Sequence, residues 1–458
     1  VRQALLYAID RNQLEEQLLK GHGEVVDGFL SSASPFFDDS IEPTPYDPEK
    51  AKELLAEAGW DGSQTLRFYV NSGDSTFVNG AQVLVAEWAA VGINVEVTTV
   101  DLATLMTVAG STDYDILSVD VPLVSSYARR GMLADLSPYF TEEDRAKLVT
   151  AAVEASTYEG KLYASPLANS SQVLYYNTKL LEDAGIDLAE LEAYSTDNRI
   201  TYERLVEIAE QALKVLDPDG TQGMIGFDFQ QVDRVYQMNQ LPNSMGGVQV
   251  SEDGYSLDGV LNTEPWKKAL TWYQEQVKKG ICSRGITASE LPNYFYSGKL
   301  IFMLGTTEMV ANFVKKDMTT YAYTASPAFK GYEDKVATAT GSWHFGVSGY
   351  SQNTEEAAKF VKWMTCTDEA TEMFYDLRGM IPTYVPLLDK LANDENTVGW
   401  MKLAITESKT TAYPRALTPA FNEYSSVINS VWSDTRNGED VEETIEWAIE
   451  EYAAQTIK

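Results

Sequence analysis

The sequence predicts an α/β fold, and three observations carry that prediction. Strand-like and helix-like segments alternate from residue 66 to residue 120. Glycines stand where the helical runs end, as at Gly21, Gly59 and Gly92. The chain of 458 residues is 44% hydrophobic, enough to fill large cores in about two or three domains.

In chain order, Val1, Leu5, Ile9, Leu14 and Leu18 lie near helical spacing, and Gly21 closes that run. A loop rich in Ser, Asp and Pro follows. Asp47-Pro48-Glu49 then opens a second helix, with Asp as N-cap and Pro in the first turn, and it runs through Leu54 and Leu55 to Gly59. Leu66–Val70 reads as a strand, about Ser75 to Ala90 as a helix stopped by Gly92, and Ile93–Val100 as an alternating strand. A short helix leads to Tyr114–Asp120, a buried-looking strand with acids at both ends. The order is β-α-β-α-β. Farther on, a Gly-flanked aromatic loop, Gly341–Val347, precedes an amphipathic helix over Asn353–Thr365, and Gly379-Met-Ile-Pro382 forms a turn after it.

The formal net charge is −33. Nucleic acids and anionic membranes call for basic patches, so both are poor partners for this chain. Two cysteines, Cys282 and Cys366, and two histidines, His22 and His344, are too few for a Cys/His zinc site. One disulfide is open to the pair in an oxidising compartment. Aromatics are abundant, at 26 Tyr, 16 Phe and 9 Trp. Most belong in cores, which leaves some for a ligand cleft. No run of about 20 apolar residues exists, and no signal peptide or lipidated N-terminal Cys is visible. The chain opens inside a motif at Val1, as a mature or trimmed chain does.

Two resemblances follow from the motifs. Val1-Arg-Gln-Ala-Leu-Leu-Tyr-Ala-Ile-Asp10-Arg11 and Tyr46–Gly59 resemble family 5 (oligopeptide-type) solute-binding proteins, over about residues 1–120. From about residue 122 to 458 the chain resembles family 1 (maltose-type) extracellular solute-binding proteins. The marks are Tyr127–Leu136, Tyr158–Pro166, Leu174–Asn177, Gly246-Gly247, Phe295–Lys299 running into Ile301–Gly305, and the stretch from Gly341. The resemblance implies a type II periplasmic-binding-protein-like fold: two α/β lobes, hinge crossovers and a ligand cleft between them. The crossings are expected at Asn169–Tyr176, near Tyr323–Pro327 and near Phe374–Pro382. Lobe one then holds 1–170 plus 328–373, with 1–62 as an extra helical segment, and lobe two holds 171–327 plus 374–458. A family 5-like βαβ piece would occupy the place of the first βαβ piece of lobe one.

No catalytic constellation is present. A Ser/His/Asp triad needs a histidine base, and neither histidine lies near a Gly-x-Ser-x-Gly motif. Phosphate and dinucleotide loops are missing too. With 68 Asp and Glu, chance carboxylate pairs are plentiful and carry no signal. Binding is the expectation. A sugar needs flat apolar faces for its C–H surfaces and planar polar groups for its hydroxyls, set at the C-terminal edges of strands.

By that rule Asn71, Asp74 and Asp120 are candidates in lobe one. Asn71 and Asp74 read equally as a turn, and Asp120 equally as a helix cap. The crossover supplies Asn169 and Ser171, for ligand or for hinge hydrogen bonds; Tyr175 and Tyr176 read as core. In lobe two, Phe229 and Gln230 end a strand. Thr307 stands where many relatives carry a stacking Trp, and Glu308 follows it, as a hydroxyl partner or as an acid at a helix start. Trp343 is the leading candidate, against core packing. Phe421 and Tyr424 share a helix face, for ligand or for core. Arg378 suits a hydroxyl, a carboxylate or a structural ion pair. The resemblance implies a receptor for a carbohydrate, an oligosaccharide above all, that closes on its ligand and delivers it to the transmembrane subunits of an ABC permease. It implies a monomer, either an extracellular membrane-anchored lipoprotein or periplasmic, with no metal or cofactor. A peptide receptor and a glycan-binding surface protein without transport are the rivals.

Overall fold

The computed structural model describes residues 1–18, 20, 25–26, 43–71, 75–100, 115–341 and 343–456. The chain divides into two compact units, 1–111 and 112–458.

In the first unit, the expected opening helix is broken. A helix spans Arg2–Tyr7, and the Asp10 side chain then accepts from the Gln13 amide at 3.0 Å, starting a new turn at Arg11. A capping carboxylate interrupts what apolar spacing alone would continue. Gly21, the expected stop, and His22 lie outside the described residues. Asp47 caps the helix Pro48–Glu57 by accepting from Lys50 at 2.9 Å. β1 (Thr65–Asn71) and β2 (Asn94–Val100) pair in parallel from Thr65↔Asn94 to Asn71↔Val100. The helix Ser75–Ala90 makes the crossover that parallel strands require. A small core of Ala4, Ala8, Ala51, Leu55, Val91 and Ile93 is buried beneath.

The second unit holds two main sheets. β3 (Ile116–Asp120) is followed by the hairpin of β4 (Thr157–Tyr158) and β5 (Lys161–Leu162), then β6 (Ala164–Pro166), β7 (Ala168–Asn169) and β8 (Gln172–Asn177). β9 (Ile225–Phe229), β10 (Leu300–Thr306), β11 (Tyr321–Thr324), β12 (Thr338–Ala339), β13 (Trp343–Val347), β14 (Ile381–Pro382) and β15 (Ala412–Tyr413) complete the set. The first sheet has the order β3-β13-β6 and the second β11-β8-β10-β9. The chain passes from one sheet to the other between Pro166 and Gln172. There β7 pairs antiparallel with β14, Asn169 opposite Ile381, so two crossing strands lie side by side.

Two apolar clusters fill the unit. One gathers Leu136, Phe140, Leu162, Val347 and Val361 with Ile381, Leu388, Met401 and Ile405. Residues 381–405, expected with lobe two, thus share a core with elements expected in lobe one. The other lies under the second sheet, where Tyr175 is fully buried and meets the rings of Phe295, Phe313 and Tyr321. A buried ion pair ties the connections together. Arg199 grips Glu407 through both nitrogens, at 2.6 and 2.9 Å. Glu407 also accepts from Ser326, Thr338 and Thr411, so its oxygens are satisfied as a buried carboxylate requires.

Candidate functional site

The strand ends of the two sheets converge on one chamber. β3 delivers Asp120 at its C-terminal edge, and β13 begins opposite it with Trp343. β9 ends into Gln230 and Gln231, and β10 into Thr306 and Glu308. Ser170 from the crossover, Gly341, Tyr236, Met380 and Arg415 complete the lining of a cavity of ≈ 290 Å³. C-terminal strand edges are where α/β crevices form.

Strand alternation explains Trp343. Successive side chains point to opposite faces, so His344 goes inward, 1% exposed and 2.6 Å from Ser156 Oγ, while Trp343 stands 54% exposed. Burial and the nearby Arg415 push the His344 pKa down to about 3. Trp343 therefore lines the cavity as an exposed side chain, and the core-packing alternative does not apply.

Arg415 organises the polar side. Its two terminal nitrogens meet the Asp120 carboxylate at 2.5 and 3.2 Å. Its guanidinium also lies 5.2 Å from the ring centre of Tyr236 and 6.0 Å from that of Phe421. Gly341 makes room for it, since a Cβ there would stand 2.9 Å from Arg415 Nη2. Tyr236 bonds Ser170, whose hydroxyl also donates to the Gly341 carbonyl. Burial pushes the Tyr236 pKa up to about 12. Asp120 sits at a helix N-cap position without capping it; its carboxylate belongs to Arg415.

Gln230 commits its carbonyl to the Thr306 amide at 2.7 Å, which leaves its NH2 group for the chamber. Glu308 is open to solvent, yet the concave walls strip water from it and raise its carboxyl pKa. It also lines a second, more apolar chamber of ≈ 260 Å³, with Asn169, Thr307, Arg378, Met380 and Trp400. Asn169 Oδ1 accepts from Ser170 and Thr340, while its buried Nδ2 has no partner.

Of the sequence candidates, the first chamber gathers Trp343, Asp120, Gln230 and Glu308, and the second Asn169, Thr307, Arg378 and again Glu308. Ser171 lines neither; its amide carbonyl accepts from Thr307, and its buried hydroxyl has no partner. Two candidates are corrected. Phe229 is fully buried between Phe227 and Tyr273, 5.2 and 6.2 Å away. Tyr424 is fully buried and accepts from Asn239 at 2.8 Å. Strand and helix periodicity put both on inward faces. Asn71 closes β1, but its side chain, like all of Asp74, lies outside the described residues. Sequence reasoning missed Arg415, Tyr236, Gln231 and Met380. Arg415 follows Tyr413-Pro414 after a strand of only two residues, with no periodic signal to mark it.

Both cysteines are free and buried. Among the described residues no group of three His, Cys, Asp or Glu side chains is placed to hold a metal, and no helix is long and apolar enough to cross a membrane.

The sequence profile of the bacterial extracellular solute-binding proteins matches residues 74–370, most of the chain. This chain belongs to that family. The profile of the family 5 middle region of bacterial extracellular solute-binding proteins matches residues 1–124. This solute-binding protein is 34% identical over 107 residues to heme-binding protein A of Haemophilus influenzae. It is 37% identical over 103 residues to glutathione-binding protein GsiB of Pectobacterium atrosepticum. Each match covers 22% of this chain and 20% of the relative, so the chain spans about one fifth of the length of these curated relatives. A cyclo/maltodextrin-binding protein solved with maltotetraose superimposes with TM-score 0.64, at 21% identity, over 86% of this chain and 98% of that one. The fold is thus the two-lobe α/β fold of maltose-type periplasmic binding proteins.

Proposed function

We propose that this solute-binding protein is the capture subunit of an ABC importer and binds a neutral carbohydrate, an oligosaccharide in particular. The observation that carries the reading is the exposed Trp343 face set beside Asp120, Glu308 and Gln230 in one cavity. A flat ring covers a sugar's C–H face, and fixed planar groups pair its hydroxyls. The matched Asp120–Arg415 pair favours a neutral ligand: an anion that took Arg415 would strand a partly buried carboxylate. Delivery to permease subunits, action as a monomer, and a lipid anchor or periplasmic location belong to the same proposal. Catalysis forms no part of the proposal, since the family the chain belongs to is one of solute-binding proteins.

A second reading, a peptide receptor, is favoured by the family 5 match of residues 1–124 and by the chain's 103-residue likeness to a glutathione-binding protein. Thermal unfolding with a panel of mono- and oligosaccharides, glutathione and short peptides separates the two. Ligand at about 100 times its dissociation constant adds roughly 2.7 kcal/mol. A shift with sugars alone supports the carbohydrate reading, and a shift with peptides alone replaces it.

A further inference from the structure

We infer that the ligand is an N-acetylated amino sugar, whose acetamido group enters the chamber framed by Asn169, Arg378 and Trp400. This rests on the carbohydrate reading above and adds the class of sugar.

That chamber, ≈ 260 Å³, adjoins the Trp343 chamber, since Glu308 and Met380 line both. Its walls are mostly carbon, from Val310, Ala311, Met380, Ile381 and Trp400. Two unpaired hydrogen-bond donors belong to the same lining. Asn169 is 2% exposed, and its Oδ1 accepts from the Ser170 amide at 2.9 Å and from the Thr340 hydroxyl. A backbone N–H must face an acceptor, so the side-chain amide cannot turn round, and its Nδ2 is left buried with no partner. The strand pairing of Asn169 with Ile381 fixes the residue from its backbone as well. Arg378 ends the helix Asp368–Arg378, where Gly379, at φ +61, turns the chain toward β14. Its guanidinium is exposed and has no hydrogen-bond or ion-pair partner among the described residues. Glu308 brings a carboxyl acceptor to the boundary of the two chambers.

This combination selects among sugar substituents. A ring edge bearing only hydroxyls would set polar groups against carbon walls. A 6-deoxy methyl suits the walls but leaves Asn169 Nδ2 and Arg378 unpaired. A carboxylate pairs with both donors and then faces Glu308 across the same small space. An acetamido group matches all three: its methyl meets the apolar walls, its carbonyl accepts from Asn169 Nδ2 and Arg378, and its N–H donates to a Glu308 oxygen. It is also neutral, in keeping with the matched Asp120–Arg415 pair next door.

Titration calorimetry with matched sugars tests this: glucose and N-acetylglucosamine, galactose and N-acetylgalactosamine, cellobiose and N,N′-diacetylchitobiose, with maltose, glucuronic acid and rhamnose alongside. The expected result is an acetamido sugar bound at least about tenfold more tightly than its hydroxyl counterpart, because a site built around hydrogen-bonding groups rejects the analogue that leaves them unpaired. Two variants locate the group. Asn169→Asp keeps the acceptor for Ser170 and Thr340 and removes the donor. Ala311→Leu narrows the chamber from an exposed position and so keeps the fold. The preference should shrink in both, with thermal midpoints as the check on folding; if Asn169→Asp does not fold, Ala311→Leu decides. Acetamido sugars bound no better than their counterparts, or tighter binding of maltose, glucuronic acid or rhamnose, overturns this inference and leaves the carbohydrate reading standing. A preference that Ala311→Leu leaves intact overturns it too, since the group then lies elsewhere. Failure of every sugar to bind overturns both.

Discussion

Trp343 and Arg415 meet in one cavity, yet they differ in how the sequence announces them. Trp343 stands in a Gly-flanked strand start, and alternation with His344 assigns it outward. Arg415 has no local pattern; only the fold brings it to Asp120, nearly three hundred residues away. Trp343→Ala should weaken sugar binding by about 2 kcal/mol, roughly 30-fold, the loss expected of a buried-aromatic anchor. Calorimetry on a variant with the parent's midpoint checks it, and unchanged affinity removes Trp343 from the site. His344 makes a pH prediction. Below pH 6.5 the unfolded chain takes up a proton that the folded imidazole refuses until about pH 3. Stability must therefore fall as pH drops through that window, by up to about 1.4 kcal/mol per unit. In urea titrations from pH 7 to pH 4, His344→Gln should flatten this slope; a slope equal to the parent's would place the acid sensitivity elsewhere.

At the scale of elements, most of the secondary structure was legible because it follows from period and caps. Asp47-Pro48 starts its helix, Ser75–Ala90 is helical, and strands close at Asn71, Val100 and Asp120. What failed was facing. Phe229 and Tyr424 sit in correctly read elements but on their inward sides, because a strand end and an i, i+3 pair do not reveal which face is covered. The loop after β9 carries Gln230 and Gln231 and leads into the short helix Val235–Met238 that carries Tyr236; it is held by Asp233, at φ +61, pairing with Arg436 at 2.8 Å. Loss of water dominates over that pairing and pushes the Asp233 pKa up to about 6, against 3.8 in its ordinary state. The folded form then holds its proton more tightly, so this group adds stability as pH falls from 6 to 3.8 and costs stability above it. Asp233→Asn should be at least as stable as the parent at neutral pH and converge with it only as pH falls below 3.8. A loss above about 1 kcal/mol in denaturant midpoints would mean that the ion pair outweighs desolvation.

For the whole molecule, the sequence resemblance carried the fold further than composition did, since charge and length are silent on topology. The two units differ greatly in core. Among the described residues, the first buries one small cluster of Ala, Val, Leu and Ile side chains, and the second builds extended clusters under both sheets. Scanning calorimetry should therefore show an early, small transition from residues 1–111 and a later, larger one. Sugar should move only the later one; a single transition, or an early one that responds to sugar, would refute independent units. With a net charge of −33, added salt should raise both midpoints by screening self-repulsion.

The strand pair β7–β14 constrains how such a receptor can work. Asn169 and Ala168 are stitched to Ile381 and Pro382, so the connecting straps cannot slide past each other without breaking that stitch. A motion that keeps this pairing intact must turn about it, and a pair of dyes on opposite rims tests for such a motion as a change in transfer efficiency when sugar is added.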